Sequence, residues 1–275
     1  MSIQQFENPY QPVIAAKLYD RLAEPRRDVE LYVMLAQEAG GPILELGCGT
    51  GRCLIPLIRA GFDVVGVDSS EAMLDRLRAR LQMEPEEVRR RASELHGDGR
   101  SISLPLTFGM AFMALNSFCL VTTKEDQLDL LENMYHHIRP GGFLVIDVFN
   151  PDPERIARED EVVKRTGDYE VVERAERSDL AMQTRPVVTT YKQGGTTLAT
   201  LSWTMRYTYR FELEHLVERA GFRIMHLWGD YERRAFGDAT DRLFLVARKP
   251  DDEPDAVIEQ AVTVAVDAVG GLTDG

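Results

Sequence analysis

The chain has 275 residues, 44% hydrophobic and 28% charged, which suits one sizeable α/β domain with an insertion and excludes a fibrous or wholly disordered chain. Its formal net charge of -13 argues against a nucleic-acid partner, because binding a phosphate backbone needs clustered Lys and Arg. The one basic run, Arg89-Arg90-Arg91, stands beside Glu86 and Glu87 and reads as a solvated helix face.

Apolar residues at helical spacing predict two helices, over 15–23 and 28–39. A short buried parallel strand follows at 42–46 and runs into a glycine-rich turn. A helix over 52–60 closes at Gly61, a second strand covers 63–67, and a helix over 70–81 has Ser69 or Ser70 as its cap. A third helix near 84–91 precedes a short polar strand that ends at Gly97-Asp98. Residues 106–115 are almost continuously apolar and suit a central strand. An amphipathic helix over 124–138 stops at Arg139-Pro140-Gly141-Gly142, and a buried strand occupies 143–149. This succession predicts a doubly wound parallel sheet.

The pattern changes after Asn150-Pro151. Residues 162–205 alternate β-branched, aromatic and polar side chains, with a turn at Gln193-Gly194-Gly195, and predict two or three inserted antiparallel strands. A helix over 211–220, closed by Gly221, and strands at 222–228 and 243–247 complete the domain. The expected organisation is therefore residues 1–150 as N-terminal helices and a ligand-binding half, 151–206 as a β lid over a substrate, 207–249 as the rest of the domain, and 250–275 as an acidic, poorly ordered tail. Cys48, Cys53 and Cys119 lack a disulfide or metal-ligand spacing and fit a reducing compartment. Residues 1–10 show no signal pattern, and the apolar stretch 257–272 is broken by Glu259 and Asp267, so a cytoplasmic protein without a membrane span is expected.

The segment Glu45-Leu46-Gly47-Cys48-Gly49-Thr50-Gly51 carries most of the functional signal. Glycines between a strand and a helix let backbone approach a ligand closely, and the helix N-terminus supplies unpaired N–H groups. A dinucleotide fingerprint wants a small residue where Arg52 stands, and Glu45 would repel a pyrophosphate. The same carboxylate attracts an ammonium group, which S-adenosylmethionine carries. Asp68 ends the second strand, where a carboxylate can accept both ribose hydroxyls, and Asp98 ends the third, where it can accept from an adenine amino group. Three acids at three successive strand ends converge on one crevice.

In these segments, with Leu115-Asn116-Ser117-Phe118 and Arg139-Pro140-Gly141-Gly142, the chain resembles the class I S-adenosylmethionine-dependent methyltransferases. The resemblance spans about residues 10–248 apart from the insertion. It implies a Rossmann-like seven-stranded sheet with an antiparallel last strand. It also implies that Glu45 and the glycine loop with Gly47, Cys48, Gly49 and Gly51 hold the methionine part, Asp68 the ribose and Asp98 the adenine, with Ser69, Met73 and Gly97 also in the cofactor site. Tyr19-Asp20 looks like the segment that lies across the cofactor. Leu115 and Asn116 count among the cofactor residues where the chain leaves the fourth strand toward the methyl group, and Asn116 is either a backbone cap at that strand end or a contact to cofactor or substrate. Where many members carry an acid, this chain has Gly109, away from the methyl group.

The acceptor is expected to be a small molecule methylated on nitrogen or oxygen. Asn116-Ser117-Phe118 lacks the two prolines usual in methyltransferases of nucleic-acid bases. Phe118, Tyr191, Trp203 and Tyr207 are candidate acceptor contacts; the aromatics in or beside the insertion either offer their faces to a cation or merely stabilise its strands. None of His96, His136, His137, His215 and His226 carries a base motif, and no general base is assigned. The sequence is compatible with a homodimer. A non-catalytic cofactor-binding scaffold and, more remotely, a nicotinamide-dependent oxidoreductase are the competing readings.

Overall fold

The computed structural model describes residues 4–5, 8–22, 27–237 and 239–251. In chain order these form β1 (Gln4–Gln5), α1 (Val13–Leu22), α2 (Asp28–Ala39), β2 (Ile43–Leu46), α3 (Leu54–Arg59), β3 (Val64–Asp68), α4 (Glu71–Leu81), α5 (Glu86–Arg89), β4 (Ala92–His96) and β5 (Phe108–Met113). A 3-10 turn, Ser117–Leu120, leads to α6 (Lys124–His137), β6 (Ile138–Phe149) and α7 (Pro153–Ile156). Then come β7 (Asp160–Thr166), β8 (Tyr169–Ala175), β9 (Thr184–Gln193), β10 (Thr196–Arg206), α8 (Arg210–Arg219), β11 (Arg223–Trp228) and β12 (Arg242–Arg248). The expected tail falls, from residue 252 onward, outside the described residues.

Seven strands form the main sheet in the order β11-β12-β6-β5-β2-β3-β4. The five from β6 to β4 are parallel, and β12 runs antiparallel between β6 and β11. The order reverses between β2 and β5, so their carboxyl ends flank the crevice of a doubly wound fold. Both faces are covered, which explains the unbroken apolar runs. Along β5, Ala111 and Met113 pack with α6 and α8, while Met110 and Phe112 pack with α2 and α3. Gly109 in this strand is a packing necessity. A Cβ there would collide with the Gly40 carbonyl oxygen and stand 2.7 Å from the Gly40 carbonyl carbon, so no acid fits.

Three local expectations need correction. Arg139-Pro140-Gly141-Gly142 does not separate α6 from a later strand; β6 starts at Ile138, and its register with β5 shifts between Phe108 and Met110. The helix after the glycine loop begins at Leu54, not at 52. The inserted segment holds four antiparallel strands, β7 to β10, and β1 joins them in parallel beside β10. Helix α1 packs on this second sheet through Ala15 and Leu18, against Val171, Tyr191 and Leu201. The N-terminal segment therefore belongs with the second sheet as much as with the first.

Candidate active site

A cavity of about 650 Å³ opens at the carboxyl ends of β2, β3, β4 and β5 and is roofed by α1 and β10. Its volume lies in the range of small-molecule sites. The floor is the loop after β2. Gly47 and Gly49 adopt positive φ of 71° and 54°, and Gly47 and Cys48 donate their N–H groups to Val67 O at 2.8 and 3.1 Å. Gly47 has no room for a side chain, because a Cβ would come 2.6 Å from Ser117 Oγ. Gly51 lies behind the cavity, where a Cβ would strike Leu77, so it shapes the turn and lines no wall.

Glu45, on β2, is 2% exposed, and its Oε2 has no hydrogen-bond partner. Burial pushes its carboxyl up to about 8, a rise that the nearby Arg52 charge and the Leu54 N–H only partly oppose. A buried, unpartnered carboxylate oxygen facing a cavity calls for a cation. Asp68 accepts from Gly49 N at 2.7 Å and from Ser70 N at 2.8 Å, and its carboxyl too is raised by burial. Its neighbour Ser70, not Ser69, caps α4 by accepting from Met73 N at 3.2 Å. Ser69 and Met73 line the cavity.

Asp98 lines the cavity beyond Gly97, and its two oxygens already accept from Arg100, with contacts of 2.5 to 3.0 Å. That guanidinium holds the Asp98 carboxyl below the usual range. Arg100 also reaches Asp126 at 2.8 Å, which ties the loop after β4 to the start of α6. Arg52, the other guanidinium in the wall, is paired with the buried Asp28 at 2.8 and 2.9 Å.

Tyr19 reaches the cavity from α1 and meets Tyr10 edge-on, with ring centroids 5.3 Å apart. Next to it, Asp20 accepts from Thr50 Oγ1 at 2.6 Å and from Arg76 at 3.0 Å, so α1 is strapped onto the glycine loop and α4. Leu115 lines the far wall. Asn116 does not: it has φ 69° and its Oδ1 accepts from Phe149 N at 2.8 Å, a capping role within the turn.

Of the aromatic acceptor candidates, only Trp203 reaches the cavity, with its Nε1 donating to Thr189 Oγ1 at 3.0 Å. Phe118 is fully buried beneath the sheet, in the core built by α6 and α8. Tyr191 is buried between α1 and the second sheet, and Tyr207 is buried against Tyr209. Each faces away because strand and turn geometry, invisible in the composition, turns it inward. Of the segment Asn116-Ser117-Phe118, Ser117 lines the cavity, and Asn8, Tyr10, Gln11 and Thr204 line it although no motif in the sequence points to them. Asn8 bonds Ser69 Oγ at 2.9 Å and Ser70 Oγ bonds Tyr10 O at 2.7 Å, contacts between segments sixty residues apart that no local motif announces.

Acids at the ends of β2, β3 and just past β4, around a bare glycine loop at a topological switch point, match the arrangement expected of a class I S-adenosylmethionine-dependent methyltransferase. Comparison with known proteins agrees. Residues 43–142 match the methyltransferase domain family. The cypemycin N-terminal methyltransferase of Streptomyces sp is 27% identical over 213 residues, 76% of this chain and 84% of that protein. The structure of the CcbJ methyltransferase from Streptomyces caelestis superposes with a TM-score of 0.79 at 26% identity, over 89% of this chain and 99% of that one. At 21% identity, CalS10 of Micromonospora echinaspora shares the fold, with a TM-score of 0.64 over 89% and 99% of the two chains. In its methyltransferase domain, its relatives and its fold the chain is similar to the class I methyltransferases, and it acts as a methyltransferase that uses S-adenosylmethionine. Among the described residues no helix is long and apolar enough to cross a membrane, and no cluster of His, Cys, Asp or Glu is arranged to hold a metal ion.

Proposed function

We propose that this chain transfers the methyl group of S-adenosylmethionine to an amine nitrogen of a small molecule in the cytoplasm. The observation that carries the site assignment is Glu45: its unpartnered Oε2 fits the α-ammonium of the cofactor. Asp68, at the end of β3, holds the ribose hydroxyls with the acceptor capacity left after its two backbone bonds. Gly97 and Asp98 border the adenine, and Met73 and Leu115 flank it with apolar surface.

When bound, the cofactor supplies an electrophilic methyl group on a positively charged sulfur. The protein's part is to orient and to exclude water. Tyr10, Tyr19 and Trp203 offer aromatic faces to positive charge, and the second sheet with α1 covers the crevice. An amine acceptor attacks with its own lone pair and afterwards releases its extra proton to water, so it needs no strong base in the wall. Among the described residues no histidine lines the cavity. The cypemycin relative, by its name, methylates an N-terminus, and this supports the amine reading. The acid-rich wall, with both guanidiniums already paired, does not favour a nucleic acid. Self-association into a homodimer remains compatible with the fold.

Release of S-adenosylhomocysteine tests the reading. A panel of primary and secondary amines is expected to yield it, and a matched panel of phenols and alcohols is not. Turnover with hydroxyl acceptors alone contradicts the amine assignment.

A further inference from the structure

The chain leaves β5 through a turn in which two consecutive non-glycine residues, Leu115 and Asn116, have positive φ of 47° and 69°. The left-handed region is unfavourable for leucine, and such backbone persists only where the surroundings over-determine it. The surroundings here are on β6. Asn116 N donates to Asp147 O at 2.9 Å, and Leu115 N donates to the Asp147 carboxylate Oδ2 at 3.2 Å.

Asp147 is fully buried at the carboxyl end of β6, on the face covered by α2. Its Oδ2 also accepts from Tyr231 Oη at 3.1 Å and from Tyr32 Oη at 3.3 Å. Its Oδ1 is paired with the largely buried Arg242, with Nε at 2.8 Å. Arg242 alone would neutralise the carboxylate. The two tyrosines do something else: they fix Oδ2 at the one place where it receives the Leu115 N–H. On the cavity side of the same turn, Ser117 Oγ abuts Gly47, so the turn is clamped between Asp147 and the glycine loop.

We infer that Asp147 is a positioning residue, which holds the turn after β5 in its strained left-handed shape and so presents Leu115 and Ser117 to the cofactor. This inference rests on the cofactor site proposed above. Asp147 touches neither cofactor nor acceptor and acts through the Leu115 backbone.

The test is a double-mutant cycle read by calorimetric titration of S-adenosylmethionine, with melting temperature recorded for each protein. Asp147→Asn is expected to weaken binding about tenfold in the natural background, the scale of one strained residue set free. In the Leu115→Gly background, where a left-handed φ is cost-free, Asp147→Asn is expected to weaken binding less than about threefold. The drop in melting temperature from the disturbed Arg242 pair should be the same in both backgrounds. Equal weakening in both backgrounds would mean that Asp147 only stabilises the core, and would overturn the inference. If Asp147→Asn does not fold, Tyr231→Phe replaces it in the same cycle. It is expected to weaken binding a few-fold with Leu115 present and not measurably in the Leu115→Gly background; no difference between the backgrounds overturns the inference. Absence of heat with the natural protein would refute the cofactor site itself, a result distinct from a cycle that closes additively.

Discussion

The Gly49 N–H donates to the Asp68 carboxylate at 2.7 Å, which makes the loop after β2 and the end of β3 one unit. Removing that carboxylate frees the loop and, on the proposed binding mode, takes away the ribose acceptor as well. Asp68→Ala is expected to lower S-adenosylmethionine affinity by roughly 10- to 100-fold, the worth of charge-assisted hydrogen bonds. Calorimetric titration measures it, and unchanged affinity would remove Asp68 from the site.

With the ammonium of the cofactor beside Glu45, as proposed, binding is expected to depend on pH. The Glu45 carboxyl titrates at about 8 in the free protein, because burial disfavours the charge, whereas a carboxyl in the unfolded chain titrates at 4.5. The folded protein therefore holds the extra proton between these values, and the Glu45 contribution to stability falls as pH rises from 4.5 toward 8. An ammonium placed beside it reverses the preference. Binding of S-adenosylmethionine at pH 7 should release a proton, seen as a heat that varies with the ionisation enthalpy of the buffer. Glu45→Gln should abolish that variation and weaken binding, and it should raise the melting temperature of the free protein more at pH 8 than at pH 5. A buffer-independent heat for the natural protein contradicts this.

Phe118 and Trp203 should separate stability from acceptor recognition. Phe118 fills the core under the sheet, and Phe118→Ala should cost about 3 to 5 kcal/mol of unfolding free energy. Trp203 lies in the cavity wall, and Trp203→Ala should destabilise less than Phe118→Ala while raising the acceptor KM. Denaturant melts and steady-state kinetics with the best amine of the panel check both. The opposite pairing of effects would return Phe118 to the acceptor site.

At Gly109 any side chain meets backbone rather than a side chain that can swing aside. Gly109→Ala should destabilise by about 3 kcal/mol or more, at the upper end of single substitutions, and Gly109→Asp by at least as much. A denaturant titration with unshifted midpoint would show that α2 moves freely at Gly40.

Much of the main sheet was legible because its strands are buried on both faces and read as unbroken apolar runs, as β5 does. The glycine loop and the acids Glu45, Asp68 and Asp98 were legible because they sit at strand ends, where sequence position and spatial position coincide. Side-chain direction in the second sheet was not. Tyr191 and Trp203 both look like half-exposed aromatics in alternating strands, and only the pairing of β9 with β10 and the packing of α1 decide which faces the cavity. Asp147 was missed for a related reason: one acid in a buried strand gives no hint of Tyr32, Tyr231 and Arg242, each contributed by a different element. Tyr10 and Asn8 reach the site by a chain path that no local pattern encodes.

Transfer of isotope-labelled methyl from S-adenosylmethionine to an amine, followed by mass spectrometry in the natural protein and in Asp68→Ala, tests the account most directly. Label is expected in the amine, matched one for one by unlabelled S-adenosylhomocysteine, with a large loss of both in the variant. No labelled amine from any member of the panel, or undiminished labelling by Asp68→Ala, would contradict it.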